Sequence, residues 1–239
     1  MEGAPELSLV IPAYNEVGRI GATIARVCAY LDQQPYGWEL IVVIDGGARE
    51  AGGEARAAAV GRANVRVLDN EVNHGKGYAV RQGFAAATGR HRAFIDADLS
   101  LPVEGLEPML ARLGAADVVI ASRVAPGARV LGAPPALRGV MGRVFNGVVQ
   151  LIALPGLADT QCGFKGFRAA AARTIFAEQT IDRFGFDVEV LFLARQHGFR
   201  IDELPVVCTY HAGSSVNRVA DVLGMLADLW RVRWRHRHR

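Results

Sequence analysis

Short apolar runs that end in polar clusters recur through the first half of the chain. They fall at Leu7–Ile11, Trp38–Ile44, Val65–Leu68, around Ala93–Ile95 and at Asp117–Ala121, with short joints and helix-like stretches between them. Runs of this length with little polar alternation read as strands buried on both faces, and their alternation with helices reads as a doubly wound parallel sheet. The helices are expected from Asn15-Glu16 to about Leu31, from about Ala51 to Val60, from about Lys76 to Ala87 and from Pro102 to Leu113. In the first of these Ile20, Ile24, Val27 and Leu31 share one face. The fold class is therefore α/β, a Rossmann-like, mostly parallel sheet flanked by helices. Open sheets of this kind bind ligands in the crevice outside the carboxyl ends of their strands. Pro12-Ala-Tyr-Asn-Glu16, Asp45-Gly46-Gly47, Asp96-Ala97-Asp98 and Ser122-Arg123 each follow a strand directly, on that side.

The second half is less regular. Val124 to Pro135 is rich in Gly and Pro and reads as a loop suited to a lid. Leu137 to Leu154 is an apolar helix candidate interrupted by Arg138 and Arg143. Asp159-Thr-Gln-Cys-Gly-Phe-Lys165 follows, then helices near Ala169 to Phe176 and Phe186 to Gln196, and a strand near Ile201 to Val207. Val216, Val219, Leu223, Leu226 and Trp230 recur at helical spacing and predict a C-terminal amphipathic helix. No linker, repeat or charge block divides the 239 residues, so one domain over 1–239 is expected.

Charge is concentrated at the end. The last ten residues carry five arginines and no acid, leaving 22 bases against 24 acids in the remainder. The body is not a basic nucleic-acid-binding surface, and no nucleic-acid partner is expected. Only two of the 27 basic residues are lysines, Lys76 and Lys165. Cys28, Cys162 and Cys208 lack metal-ligand spacing and read as reduced thiols in a cytoplasmic setting. The polar start, Met1 to Glu6, predicts no signal peptide, and the 15 uncharged residues from Val144 to Ala158 fall short of a membrane span.

Asp96 and Asp98 are the sharpest chemical feature. One residue apart in an extended chain, their side chains share a face, and two such carboxylates need a compensating charge. A hard divalent cation, Mg²⁺ or Mn²⁺, supplies it and keeps open positions for diphosphate oxygens. The alternative is that both acids cap the helix that follows. Other constellations are missing. No Gly-x-Gly-x-x-Gly follows the first strand, Gly75-Lys76-Gly77 lacks the spacing of a Walker loop, and the six histidines form no zinc pattern.

Taken in order, Val10-Ile-Pro-Ala-Tyr-Asn-Glu16, Asp45-Gly46, Asn73-His-Gly-Lys-Gly77 with Arg81, Asp96-Ala-Asp98 and Ser122-Arg123 resemble the nucleotide-sugar half of family 2 glycosyltransferases with a GT-A fold. Asp159 to Lys165 and Arg183-Phe-Gly-Phe-Asp-Val-Glu189 look most like dolichyl-phosphate β-glucosyltransferases, with polyprenyl-phosphate mannosyltransferases next. The resemblance implies a nucleotide-sugar-binding half over 7–123, an acceptor half over 124–215 and an amphipathic helix with a basic tail over 216–239. It places Pro12, Ala13, Tyr14 and Glu16 at the base and ribose, and Asp45 at the uracil. Lys76 and Arg81 lie near the phosphates, Asp96 and Ala97 at the ribose and metal, and Asp98 on the metal. Arg123 and Arg138 are expected at the acceptor phosphate, with Val140, Val144 and Val148 bordering an isoprenoid. The chain departs from the family at Gly47-Ala48-Arg49, where Ser-x-Asp is usual, and at Ser215, where a lysine is usual; Arg218 or His211 are the candidate replacements.

The implied reaction is inverting transfer of glucose from UDP-glucose to a polyprenyl phosphate, at the cytoplasmic face of a membrane. A phosphate acceptor is already anionic near neutral pH and needs positioning, whereas a hydroxyl acceptor would need a base such as Asp187 or Glu189. The alternatives are GDP-mannose as donor, or a degenerate sugar-nucleotide-binding protein. Trp230 and Trp234, interleaved with arginines, suit an anionic membrane surface.

Overall fold

A computed structural model of the chain describes residues 3–132, 142, 146–209 and 220–235. Its centre is a seven-stranded sheet built from β1 (Leu7–Ala13), β2 (Trp38–Asp45), β3 (Val65–Asn70), β4 (His91–Ile95), β5 (Val118–Ser122), β7 (Phe164–Arg168) and β8 (Ile201–Pro205). The order is β3-β2-β1-β4-β7-β5-β8, and every neighbouring pair is parallel except those made by β7. Short β6 (Arg129–Leu131) and β9 (Val207–Thr209) pair in parallel as a second sheet. The helices are α1 (Ile20–Leu31), α2 (Arg49–Ala59), α3 (Lys76–Ala86), α4 (Leu106–Leu113), α5 (Ala169–Glu178), α6 (Phe186–Gln196) and α7 (Ala220–Arg235), with a further helical stretch over 146–152.

The sheet is covered on both faces. Along β1, Leu7, Leu9, Ile11 and Ala13 join a core with α1, α2 and α4, whereas Val10 joins a second core with α3, α5 and α6. This is the two-residue period of a strand with apolar residues on both sides, which is why β1 and β2 read as unbroken apolar runs. Ile20, Ile24, Val27 and Leu31 are all buried on the inner face of α1, as their spacing requires.

Several boundaries differ from the sequence reading, each for a local reason. β1 continues through Pro12, because pairing with β4 ends at Val10 and beyond it β1 is bordered by β2 alone, where one missing amide is tolerated. α1 starts at Ile20 rather than Asn15, because Asn15 (φ 54°) and Gly18 (φ 75°) turn the chain first. A 3₁₀ turn, Val103–Gly105, precedes α4. The 124–135 loop contains β6, and β8 and β9 divide what read as one strand. The largest difference is β7, inserted antiparallel between β4 and β5 from within the Asp159–Lys165 motif. In α7 the buried side chains include Asp228, Leu229 and Val232, while Trp230 is 61% and Trp234 74% exposed. The inner face is therefore rotated from the stripe that contained Trp230. Arg138, His211, Ser214, Ser215 and Arg218 lie outside the described residues. Cys28, Cys162 and Cys208 are buried and unpaired, and among the described residues no helix is long and apolar enough to cross a membrane.

At the amino end of the sheet, buried Glu39 binds β1, β2 and the α3–β4 joint together. It accepts hydrogen bonds from Ser8 Oγ (2.6 Å), Thr88 N (2.6 Å) and Thr88 Oγ1 (2.8 Å), and pairs with Arg66 (2.6 Å). Burial opposes its charge, but these donors outweigh burial and hold its carboxyl below the usual glutamate value of 4.5. A folded-state value below the unfolded one contributes stability above about pH 4.5 and loses it as pH falls further. Glu39→Gln is expected to lower unfolding free energy at pH 7 by about 2 kcal/mol. In urea titrations the gap to the wild type should narrow below pH 4.5; an unchanged gap would remove Glu39 as the cause.

Candidate active site

The motifs at the carboxyl ends of β1 and β4 meet around Asp96. Its amide donates to Gly163 O (3.1 Å), and its carboxylate fills the space where a Cβ on residue 163 would stand, so the glycine admits the acid. Asp96 Oδ1 lies 2.6 Å from Lys76 Nζ. Lys76 opens α3, whose first turn is clamped by the segment before α6. Tyr78 N donates to Asp182 O (3.1 Å), and a Cβ at Gly77 would collide with Ile181 O and Phe186. The Lys76 ammonium also lies over the Phe94 ring at 5.7 Å. Burial works against its charge, but Asp96 and Asp187 outweigh burial and raise its pKa.

Asp98 is exposed. One carboxylate oxygen accepts from Ser100 N (2.9 Å) in a tight turn through Leu99 (φ 47°), and the other has no donor among the described residues. Between the two acids, Ala97 is buried and its carbonyl accepts from Thr23 Oγ1 (2.8 Å), tying the loop to α1. Glu16 pairs with Arg19 (2.7 Å). Its pKa is raised by burial first and then by Asp98 and Asp96, against the pull of Arg19. Three carboxylates from two loops thus sense one another at the crevice. Among the described residues no cluster of three potential ligands is tight enough to hold a metal ion unaided.

The remaining sequence candidates fall into two groups. Pro12 and Ala13 are buried within β1, and Tyr14 beyond them is exposed. Asp45, expected at a uracil ring, supports the loop that follows β3. It accepts from Asn70 Nδ2 (3.1 Å), His74 N (3.0 Å) and Gly75 N (2.6 Å), with His74 Nδ1 at 3.4 Å, which occupies both oxygens. Gly47 has φ 91°, and a side chain there would strike Asn15 and Tyr14, so the hydroxyl usual at this place has no room in this loop. Arg81 donates to Asp182 (2.7 Å) and Gln179 O (3.2 Å) and borders the groove between α3 and α5, with no ion pair to Asp96 or Asp98.

On the far side, Arg123 forms a fork with Asp159: Nε to Oδ2 at 2.7 Å and Nη2 to Oδ1 at 2.9 Å, with its amide donating to Oδ2 at 3.0 Å. Burial opposes both charges. The pairing outweighs it, raising the Arg123 pKa and lowering that of Asp159. Nη1 has no partner among the described residues and remains available. Asp187 and Glu189, the acids named as a base should the acceptor be a hydroxyl, are both buried and engaged. Asp187 pairs with Lys165, which also donates to Cys162 O (2.7 Å). Glu189 accepts from Thr180 N, Thr180 Oγ1 and Ile181 N at 2.7–3.1 Å. Asp159 and Lys165 carry positioning roles that the sequence reading left unassigned. The signal was present, since both lie in one polar motif and Lys165 is one of two lysines.

Comparisons with known proteins bear on family and fold. The family model for Glycosyl transferase family 2 matches residues 8–176. The dolichyl-phosphate beta-glucosyltransferase of Drosophila melanogaster is 33% identical over 248 residues, spanning 97% of this chain and 76% of that protein. The Homo sapiens protein of the same name is 31% identical over 245 residues, with the same coverage. Glucosyl-3-phosphoglycerate synthase from Mycobacterium tuberculosis, in complex with Mn²⁺, UDP-glucose and phosphoglyceric acid, superposes with a TM-score of 0.72 at 17% identity, covering 95% of this chain and 79% of that one. That likeness shows the GT-A fold. With the family model matching well over half of its residues, the chain belongs to glycosyl transferase family 2.

Proposed function

We propose that this glycosyltransferase moves glucose from UDP-glucose to a polyprenyl phosphate, inverting the anomeric centre, at the cytoplasmic face of a membrane. The observation that carries the donor side is the convergence of Asp96, Asp98 and Glu16 beside Lys76, at the carboxyl ends of β1 and β4. Relatives named dolichyl-phosphate beta-glucosyltransferase support glucose and the lipid acceptor. Structural neighbours holding Mn²⁺ or Mg²⁺ with UDP support a divalent cation.

The residues present fit such a cation. Asp98 offers an exposed carboxylate with one oxygen unengaged among the described residues, and Glu16, whose pKa is raised by burial first and then by Asp98 and Asp96, lies within their reach. Asp98, with Asp96 beside it, would hold Mg²⁺ or Mn²⁺, and the ion would supply positive charge for the departing diphosphate. Lys76 adds a fixed cation next to Asp96 on the same side. The acceptor phosphate oxygen attacks the anomeric carbon opposite UDP. Arg123, oriented by Asp159, presents Nη1 to the acceptor phosphate, a task suited to a guanidinium held on two other donors. No base is required for an acceptor already ionised, in keeping with the engaged state of Asp187 and Glu189. Arg138, the second arginine proposed for this phosphate, lies outside the described residues.

A membrane-facing surface has specific side chains. Trp230 and Trp234 are exposed on α7 among Arg231, Arg233 and Arg235. Arg233 donates to Ile152 O (2.6 Å), next to Leu151, which is 86% exposed. Aromatic rings, an unburied leucine and arginines on neighbouring elements suit an anionic lipid interface. Deleting residues 231–239 would test this poorly, because Val232 is buried in the core and its loss would destabilise the helix.

Asp98→Ala is expected to reduce transfer to polyprenyl phosphate by about 100-fold or more, and excess EDTA should do the same to the wild type. Full activity in EDTA would exclude a metal role. Arg123→Lys is expected to lower turnover at least tenfold while UDP affinity by calorimetry stays within a factor of about two. Parallel loss of UDP binding would move Arg123 to the donor site. Trp230→Ser/Trp234→Ser should sediment less with vesicles containing anionic lipid and keep the wild-type melting temperature. Equal sedimentation would dismiss the interface.

A further inference from the structure

At the opposite end of the sheet from the crevice, α3 and α5 flank an open pocket of about 270 Å³. Its floor is aromatic: Phe84 and Phe176 meet with centroids 4.4 Å apart and planes tilted by 59°. Around that floor stand three guanidiniums, from Arg81 on α3, Arg92 on β4 and Arg173 on α5.

The three differ in how their charge is met. Arg81 is paired with Asp182 at 2.7 Å. Arg92 is only 8% exposed, yet it makes no ion pair among the described residues. Its Nη1 donates to Phe84 O (2.8 Å), while Nε is buried with no hydrogen-bond partner. The acid nearest in effect, Glu39, is already held by Arg66, Ser8 and Thr88. Arg173 is exposed and also makes no ion pair or hydrogen bond among the described residues. Burial lowers the Arg92 pKa first, and the Arg173 charge lowers it further before Glu39 partly offsets both. A buried guanidinium without a carboxylate, facing a second one, is an unfavourable arrangement for the protein alone. It becomes favourable when an anion sits between them.

The chemistry narrows that anion. Two unmatched guanidiniums balance a charge near −2, which a phosphate monoester carries at neutral pH and a single carboxylate does not. Planar forks of donors recognise phosphate oxygens in pairs. The Phe84–Phe176 floor calls for an apolar group attached to the phosphate, and the volume limits that group to a small one. We propose that the groove between α3 and α5 is a second ligand site, separate from the donor crevice, which binds the phosphate monoester of a small apolar group between Arg92 and Arg173. The same head could belong to a soluble metabolite or to the end of a lipid.

The test is calorimetric titration with phenyl phosphate of the full chain carrying Arg123→Ala, which removes the proposed acceptor-phosphate contact, with UDP and Mn²⁺ at saturation so that the donor crevice is filled. One molecule should bind per chain. Inorganic phosphate should bind at least tenfold more weakly, for want of the apolar group. Arg173→Gln should weaken phenyl phosphate at least tenfold while UDP binding and melting temperature stay at wild-type values, and Arg92→Lys should act in the same direction. Absence of binding, competition with UDP, or equal affinity in Arg173→Gln would overturn the proposal. Vesicles containing phosphatidic acid form the second arm. If Arg173→Gln weakens both phenyl phosphate and vesicle binding, the ligand is a lipid head; if only phenyl phosphate is weakened, it is a soluble phosphate.

Discussion

A lysine ammonium with no exposed surface is tolerable only where a counter-charge meets it, and Lys165 is such a lysine. It projects from β7, the strand inserted between β4 and β5, and finds Asp187 in the first turn of α6 together with the carbonyl of Cys162. Removing one member of a buried pair of this kind costs on the order of 3–5 kcal/mol. The pair therefore locks β7 to α6. Asp187 also senses Lys76, and Lys76 reaches Asp96. Charges of alternating sign thus run from the interior, Lys165 and Asp187, to the crevice, Lys76 and Asp96. Asp96, at the proposed reaction site, is thus held by the packing beneath it.

The same segment braces α3. Glu189 accepts the amides of Thr180 and Ile181, and the carbonyls of Ile181 and Asp182 press on the first turn of α3, where only glycine fits at residue 77. The Phe186–Glu189 stretch is a girder for the donor site, and its two acids work through Lys165 and through the 180–182 backbone. Rigid support of this sort matters because a charged group displaced by about 1 Å loses much of its effect on a transition state.

The two ends of the sheet carry opposite electrostatic imbalance. At the carboxyl ends acids gather: Asp96, Asp98 and Glu16 act on one another, with Lys76 and Arg19 paired among them. At the amino end it is bases, Arg92 and Arg173, although Glu39 close by is saturated with donors. Other buried or half-buried ionic groups are matched, among them Arg123 with Asp159, Arg112 with Asp202 and Arg62 with Asp32.

Much of this was legible in the chain. Apolar runs of strand length between helical stretches determine a covered parallel sheet, because a strand buried on both faces leaves no other pattern, and polar clusters after those strands determine which end carries the chemistry. Asp96 and Asp98 could be singled out because two acids one residue apart at a strand end have few other uses. Tertiary structure alone decided the partners. Phe164–Arg168 is too short to declare its direction, and only the gap between β4 and β5 makes it antiparallel. Asp45 and Asp187 are chemically as able as Asp98, yet the amides of the 73–75 loop and the Lys165 ammonium engage them. The inner face of α7 is set by Leu229 and Val232 because the surface of α6, not the helix's own periodicity, selects what is buried. Local pattern determines which element forms, since it depends on neighbours in sequence. Whether a charged side chain is free for chemistry depends on neighbours in space, and these come from segments as distant as Arg123 and Asp159, or Lys76 and Asp187.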